Sequence, residues 1–106
     1  MNAIYLFVRT NPMRLASRRD ANEDQVVSAL EAAGAFVKKI NDGGTFDLLV
    51  WYRGNTLLLE CKDGNKPPSA RKLTAAEQKF HDVWPGDNLH VVLGPEDAVA
   101  LLRTYG

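Results

Sequence analysis

Between Ala35 and Lys62 the chain carries three short apolar runs divided by two turn signals. The runs are Ala35 to Ile40, Thr45 to Tyr52 and Thr56 to Lys62. The breaks are Asn41-Asp42-Gly43-Gly44 and Arg53-Gly54-Asn55. Turns this short can join only antiparallel neighbours, so the segment is expected to form a β-meander. Two acids sit where such strands disfavour them. Asp47 interrupts Phe46-Asp47-Leu48-Leu49-Val50, and Glu60 lies near the end of the third run.

Helical patterns flank the meander. Asp20 is a good N-cap, with Glu23 three residues later in a capping-box pattern. Val26, Val27, Leu30 and Ala33 supply an apolar stripe, and Gly34 stops the helix. After a polar loop from Asp63 to Leu73, Thr74 and Glu77 repeat the capping box. Phe80, Val83 and Trp84 give that second helix an apolar side, and Pro85-Gly86 ends it. Leu89 to Leu93 reads as a fourth strand, placed by the helical crossover to lie parallel to a neighbour. Gly94-Pro95-Glu96-Asp97 opens a last helix. The order is α-β-β-β-α-β-α, an α/β or α+β sandwich with one mixed sheet. Residues 2–8 weakly suggest another strand, and 9–19, with Asn11-Pro12, an irregular basic arm.

A length of 106 residues suits a single domain, an arm over 1–19 and a core over 20–106. That size also makes a C₂ homodimer a natural way to bury more surface. Hydrophobic residues at 45% and charged residues at 25% are ordinary for a globular protein. No apolar run approaches the roughly 20 residues of a membrane span. Met1 to Val8 lacks the basic start and cleavage site of a signal peptide. A single cysteine, Cys61, excludes an internal disulfide framework and points to a reducing cytoplasm. Net charge is zero, but its distribution is uneven. Arg9, Arg14, Arg18 and Arg19 stand in a stretch without acids, and Lys62, Lys66, Arg71, Lys72 and Lys79 gather around one loop. Such clusters suit phosphate, although a basic cluster alone is more often a solvated surface.

Side-chain alternation puts Leu57, Leu59 and Cys61 on one face of the third strand, and Leu58, Glu60 and Lys62 on the other. A hairpin would bring Asp47 beside Glu60. Two such carboxylates repel unless a cation or proton lies between them. Oxygen ligands of this kind suit Mg²⁺ or Mn²⁺, and a lysine beside them can hold an attacking water. The triplet Glu60-Cys61-Lys62 has little weight alone, since an acid two places before a lysine occurs by chance about once in a chain of this size. Its weight comes from the apolar strand it ends and from Asp47 across the hairpin. The competing reading is a charge cluster at a solvated sheet end. Glu23 lies on or beside the packing face of its helix and can join the site or simply cap the helix. Gln78 can touch the site or a phosphate, or stay in solvent. Cys61 is expected to point into the core as a small hydrophobe. His81 and His90 have no metal-ligand spacing with it.

Asp47 at one strand, Glu60-Cys61-Lys62 on the next and Glu23 on the preceding helix together resemble the PD-(D/E)XK nuclease superfamily. Arg18-Arg19-Asp20-Ala21-Asn22-Glu23, Gly43-Gly44-Thr45-Phe46-Asp47-Leu48-Leu49 and Leu73-Thr74-Ala75-Ala76-Glu77-Gln78 look like its small VRR-NUC-like and Holliday-junction-resolvase-like branch, often carried by phages or bacteria. The resemblance spans about residues 18 to 102. Phe46 stands where the signature has proline, and no Val-Arg-Arg element is found.

The resemblance implies a restriction-endonuclease-like core and Mg²⁺-dependent hydrolysis of DNA, with Mn²⁺ able to substitute. Asp47, Glu60 and Glu23 would bind metal, Lys62 would orient water, and Gln78 would support the site. Arg9, Arg14, Arg18, Arg19, Lys66, Arg71 and Lys72 would hold the DNA backbone, directing the enzyme to branched or flapped shapes rather than to sequence. The rival reading is a catalytically inactive nucleic-acid-binding or interaction module on the same fold.

Overall fold

The structure, a computed structural model, describes residues 22–40 and 44–106. The expected strand over 2–8, the arm with Arg9, Arg14, Arg18 and Arg19, the Asp20 cap and Asn41-Asp42-Gly43 of the first turn signal lie outside the described residues. Helix α1 runs over residues 22–32. It is followed by β1 (Phe36–Lys39), β2 (Leu48–Tyr52), β3 (Asn55–Cys61), a 3₁₀ turn (Pro68–Arg71), α2 (Ala75–Val83), β4 (Leu89–Val92) and α3 (Pro95–Arg103).

The sheet order is β1-β2-β3-β4. The first two pairings are antiparallel, and β4 joins β3 in parallel after the α2 crossover, as expected of a strand returning through a helix. The β2–β3 hairpin turns on two residues with positive φ, Arg53 at 50° and Gly54 at 85°. This is the mirror-image turn whose twist matches that of the flanking strands. Asn55 Nδ2 donates to the carbonyls of Tyr52, Arg53 and Tyr105, tying the turn to the C-terminal end of the chain. The tight turn also sets the register of the two strands. Leu48 faces Leu59 and Val50 faces Leu57, so Asp47 falls beside Glu60.

One face of the sheet carries the core. Val26 and Leu30 of α1, and Ala98 and Leu102 of α3, close over Leu48, Val50, Leu57, Leu59 and Val92, all essentially inaccessible to water. The i, i+4 spacing of each helical pair is what lets one stripe seat on the strands. Gly34, at φ 101°, ends α1 in the left-handed conformation, and the Ala35 N–H returns to the Leu30 carbonyl.

Helix α2 lies across the other side, near the open end of β2 and β3. Phe80 stacks on Phe46 at 6.0 Å and meets Trp84 at 5.6 Å. The approach is close at Gly44, where a Cβ would come within 3.1 Å of the Ala76 side chain. Val83, expected on the apolar side of this helix, is instead exposed, because Phe80 and Trp84 make the contacts and Val83 turns away from them. Phe36 and Trp51, cross-strand partners, are also exposed. The architecture is the anticipated α+β sandwich around a four-stranded mixed sheet.

Candidate active site

Strand β2 starts at Leu48, so Asp47 stands just before it rather than within it. Its backbone is held all the same: the Asp47 N–H donates to the Leu59 carbonyl at 2.9 Å, and its carbonyl accepts from the Ile40 N–H at 2.8 Å. Asp47 is thus pinned at the mouth of the hairpin, opposite Glu60. Its Oδ2 accepts the Cys61 N–H at 2.8 Å. Glu23 arrives from α1. All three carboxylates are buried, Glu23 and Glu60 to 3% exposure and Asp47 to 8%. They line a cavity of about 270 Å³ together with Lys62, Glu77, Cys61 and Lys66.

Lys62 projects into the same cavity, its Nζ 3.5 Å from Glu60 Oε2 and 2.8 Å from Glu77 Oε1. Glu77 closes the α2 capping box: Thr74 N–H donates to Glu77 Oε1 at 2.9 Å, and Glu77 N–H to Thr74 Oγ1 at 3.1 Å. The carboxylate that caps the helix therefore also holds the lysine. On the α1 side, Lys39 Nζ lies 3.7 Å from Glu23 Oε2 and also pairs with Asp24. Asn22 Nδ2 donates to the Lys62 carbonyl at 3.1 Å, tying α1 to the end of the third strand.

The electrostatics follow from burial and crowding. The Glu60 carboxyl is pushed up to about 8, first by burial and then by the charges of Asp47 and Glu77. For Lys62, burial works against the charged form, but its hydrogen bond to Glu77 and its attraction to Glu60 and Glu77 outweigh this and leave its pKa above the usual value. For Glu77, burial acts upward, yet the Lys62 and Thr74 hydrogen bonds prevail and lower it. The Cys61 thiol is pushed well up by burial and by Asp47, Glu23 and Glu60.

The cavity therefore holds excess negative charge. Clustered carboxylates and a raised acid are what a bound divalent cation would relieve, and the oxygen donors fit Mg²⁺ or Mn²⁺. An oxygen of Glu23, an oxygen of Asp47 and Cys61 Sγ all lie within 4.8 Å of one another.

Of the two positions the sequence leaves open for Gln78, the structure shows the solvent-facing one and not the supporting place that the resemblance implies. Its side chain is exposed and donates to Asp82 Oδ1 at 2.8 Å, and it does not line the cavity. The α2 residue that enters is Glu77, because the first turn of the helix faces the sheet end and the next position rotates outward by the helical step. The sequence shows Glu77 only as a cap and gives no sign of a role for Asn22. Among the basic loop residues, Lys66 lines the cavity, Arg71 Nε donates to the Lys66 carbonyl at 2.8 Å, and Lys72 is exposed. His90 Nε2 lies 2.7 Å from the Tyr105 hydroxyl, away from the cavity.

No helix among the described residues is long and apolar enough to cross a membrane. No protein-family model and no curated protein sequence matches the chain. A solved structure described as a "VRR_NUC domain" does match, with a TM-score of 0.60 and 26% identity, over 81% of this chain and 95% of that one. Together with the strand order, this gives the chain the fold of a VRR-NUC-like, restriction-endonuclease-like nuclease domain.

Proposed function

We propose that the protein is a divalent-metal-dependent nuclease that hydrolyses DNA phosphodiester bonds, with Asp47, Glu60 and Glu23 as metal ligands and Lys62 as the charged partner of the reacting groups. The observation that carries this reading is the convergence of three buried carboxylates and Lys62 on a single cavity at the sheet end. A fold shared with a VRR_NUC domain supports it.

A divalent cation held there would supply acidity to a water and screen the charge on the phosphate. The remaining work falls to the chain. Asp47, anchored through the Cys61 N–H and its own backbone bonds, presents a carboxylate whose position is set before any ligand arrives. Lys62 keeps its proton, so it acts as a hydrogen-bond donor and positive charge toward a water or phosphate oxygen and not as a base. Glu77 positions it from α2. Hydrolysis forms one bond from water oxygen to phosphorus and breaks one ester P–O bond; the water gives one proton to solvent, and the leaving oxygen takes one up from solvent.

Lys66 in the cavity, Arg71 and Lys72 beside it, and Arg9, Arg14, Arg18 and Arg19 of the N-terminal arm would bind phosphates. Contacts of this kind position a duplex without reading bases, so cutting is directed by DNA shape, toward branched or flapped substrates. A C₂ dimer would set two such sites on two strands.

The test is cleavage of a labelled panel of linear duplex, flap, splayed arm, four-way junction and single strand. Mg²⁺, Mn²⁺ and EDTA are compared for wild type, Lys62→Ala and Asp47→Ala. Metal-dependent cutting that favours branched substrates and is lost in both variants is expected. Metal-independent DNA binding that neither variant disturbs, with no cutting of any substrate, would replace this reading with a binding module.

A further inference from the structure

Cys61 is unused in that mechanism, yet it occupies the middle of the Glu60-Cys61-Lys62 segment and lines the same cavity. Strand alternation makes it one more core side chain. Its face does carry the core, and the thiol packs against it. But β3 ends here, and α1 brings Glu23 to this side of the sheet end while Asp47 approaches from the hairpin mouth. The result is a trio of unlike donors, two carboxylate oxygens and a sulfur, whose ligand atoms lie within 4.8 Å of one another.

We infer that Cys61 Sγ is a metal ligand, which gives the Glu23–Asp47 side of the site a preference for thiophilic divalent cations, zinc above all, over Mg²⁺. The inference rests on the reading of Glu23 and Asp47 as metal ligands and deepens it.

Two properties of the trio converge. Thiolate is a soft ligand that selects zinc-like ions, whereas carboxylates alone suit Mg²⁺ and Mn²⁺. Zinc accepts sulfur and carboxylate oxygen at about 2.3 and 2.0–2.2 Å in a four-coordinate shell, and the three donor atoms lie within 4.8 Å of one another. On coordination the S–H bond breaks, the electron pair goes to the ion, and the proton leaves to buffer.

The consequence is regulatory. A Mg²⁺ enzyme with a sulfur ligand in its site is inhibited by low concentrations of zinc, because zinc takes Asp47 away from the hydrolytic ion. Replacing the sulfur by oxygen relieves that inhibition.

Cadmium serves as the probe, since thiolate coordination gives it a charge-transfer absorbance in the ultraviolet. The chain has one cysteine, so the wild-type spectrum alone reports on Cys61. Metal-free protein is titrated with Cd²⁺, then with Zn²⁺ in competition, beside Cys61→Ser and Asp47→Ala. The expected result is a band that saturates at equimolar Cd²⁺, is absent from Cys61→Ser and is weakened in Asp47→Ala. Zinc affinity should fall at least about tenfold in Cys61→Ser. Cadmium binding without the band overturns the inference. So does a band unaltered in Asp47→Ala, which would mean the sulfur binds alone. Mg²⁺-dependent DNA cleavage is read in the same samples. Cleavage without the band sinks the sulfur ligand and leaves the nuclease standing, whereas the full band without cleavage does the reverse.

Discussion

Replacing Glu60 by glutamine should make the metal-free protein more stable at neutral pH, although it removes a proposed ligand. In the unfolded chain the Glu60 carboxyl titrates near 4.5, and in the folded protein it is pushed up to about 8 by burial, by Asp47 and by Glu77. Between those values the folded state keeps a proton that the unfolded state has released. Stability must therefore fall as pH rises through this window, the opposite of the usual behaviour of a salt-bridged acid. At about 1.4 kcal/mol per pH unit above 4.5, the cost at pH 7 reaches about 3–4 kcal/mol. For a domain of this size that corresponds to roughly 10–20 °C in melting temperature. Thermal unfolding in EDTA, followed by circular dichroism at pH 5 and pH 7, measures it. Lys62 and Glu77 remain in both proteins, so the difference between wild type and Glu60→Gln isolates the one carboxyl. The two should melt nearly together at pH 5 and diverge at pH 7, with the variant higher. Mg²⁺ should raise the melting temperature of wild type and do little for the variant. A pH-independent gap, or a variant less stable at pH 7, would refute the claim that buried carboxylate repulsion loads this site.

Other outcomes stem from the same geometry. Glu77→Gln should lower DNA cleavage more than Gln78→Ala does, because Glu77 holds Lys62 and Gln78 reaches only Asp82; single-turnover rates compare them. Thr74→Ala should cost about 0.5–2 kcal/mol in urea unfolding through loss of the α2 cap. Leu30→Ala, at a fully buried position between α1 and the sheet, should cost about 2–5 kcal/mol in the same assay.

Much of this site is legible in the chain because strand alternation and hairpin register are short-range. Asp47 beside Glu60, and Lys62 on the same face, are implied once Arg53-Gly54-Asn55 is read as a tight turn. The parallel placement of β4 is implied by the helix before it. What cannot be read are the contacts set by how a helix docks. Glu77 and Gln78 are adjacent in sequence and both polar, and only the seating of α2 over the sheet end decides that Glu77 enters. Cys61 is legible as core facing, but not as a neighbour of Glu23, because that depends on where α1 crosses the end of β3. Asn22, one residue before Glu23, looks like an ordinary polar position in a helix start, and its bond to the Lys62 carbonyl spans forty positions of chain. Val83 fits the helical period of an apolar side, yet Phe80 and Trp84 complete that packing without it.

The most direct test of metal-dependent hydrolysis at this cavity is single-turnover cleavage of a labelled branched duplex. Wild type, Asp47→Asn and Lys62→Met are compared, each shown to be folded, with Mg²⁺ and with EDTA. Wild type should cleave only with the ion, and both near-isosteric variants should not cleave at all. Cleavage that persists in EDTA, or at the same rate in either variant, would contradict the proposed chemistry.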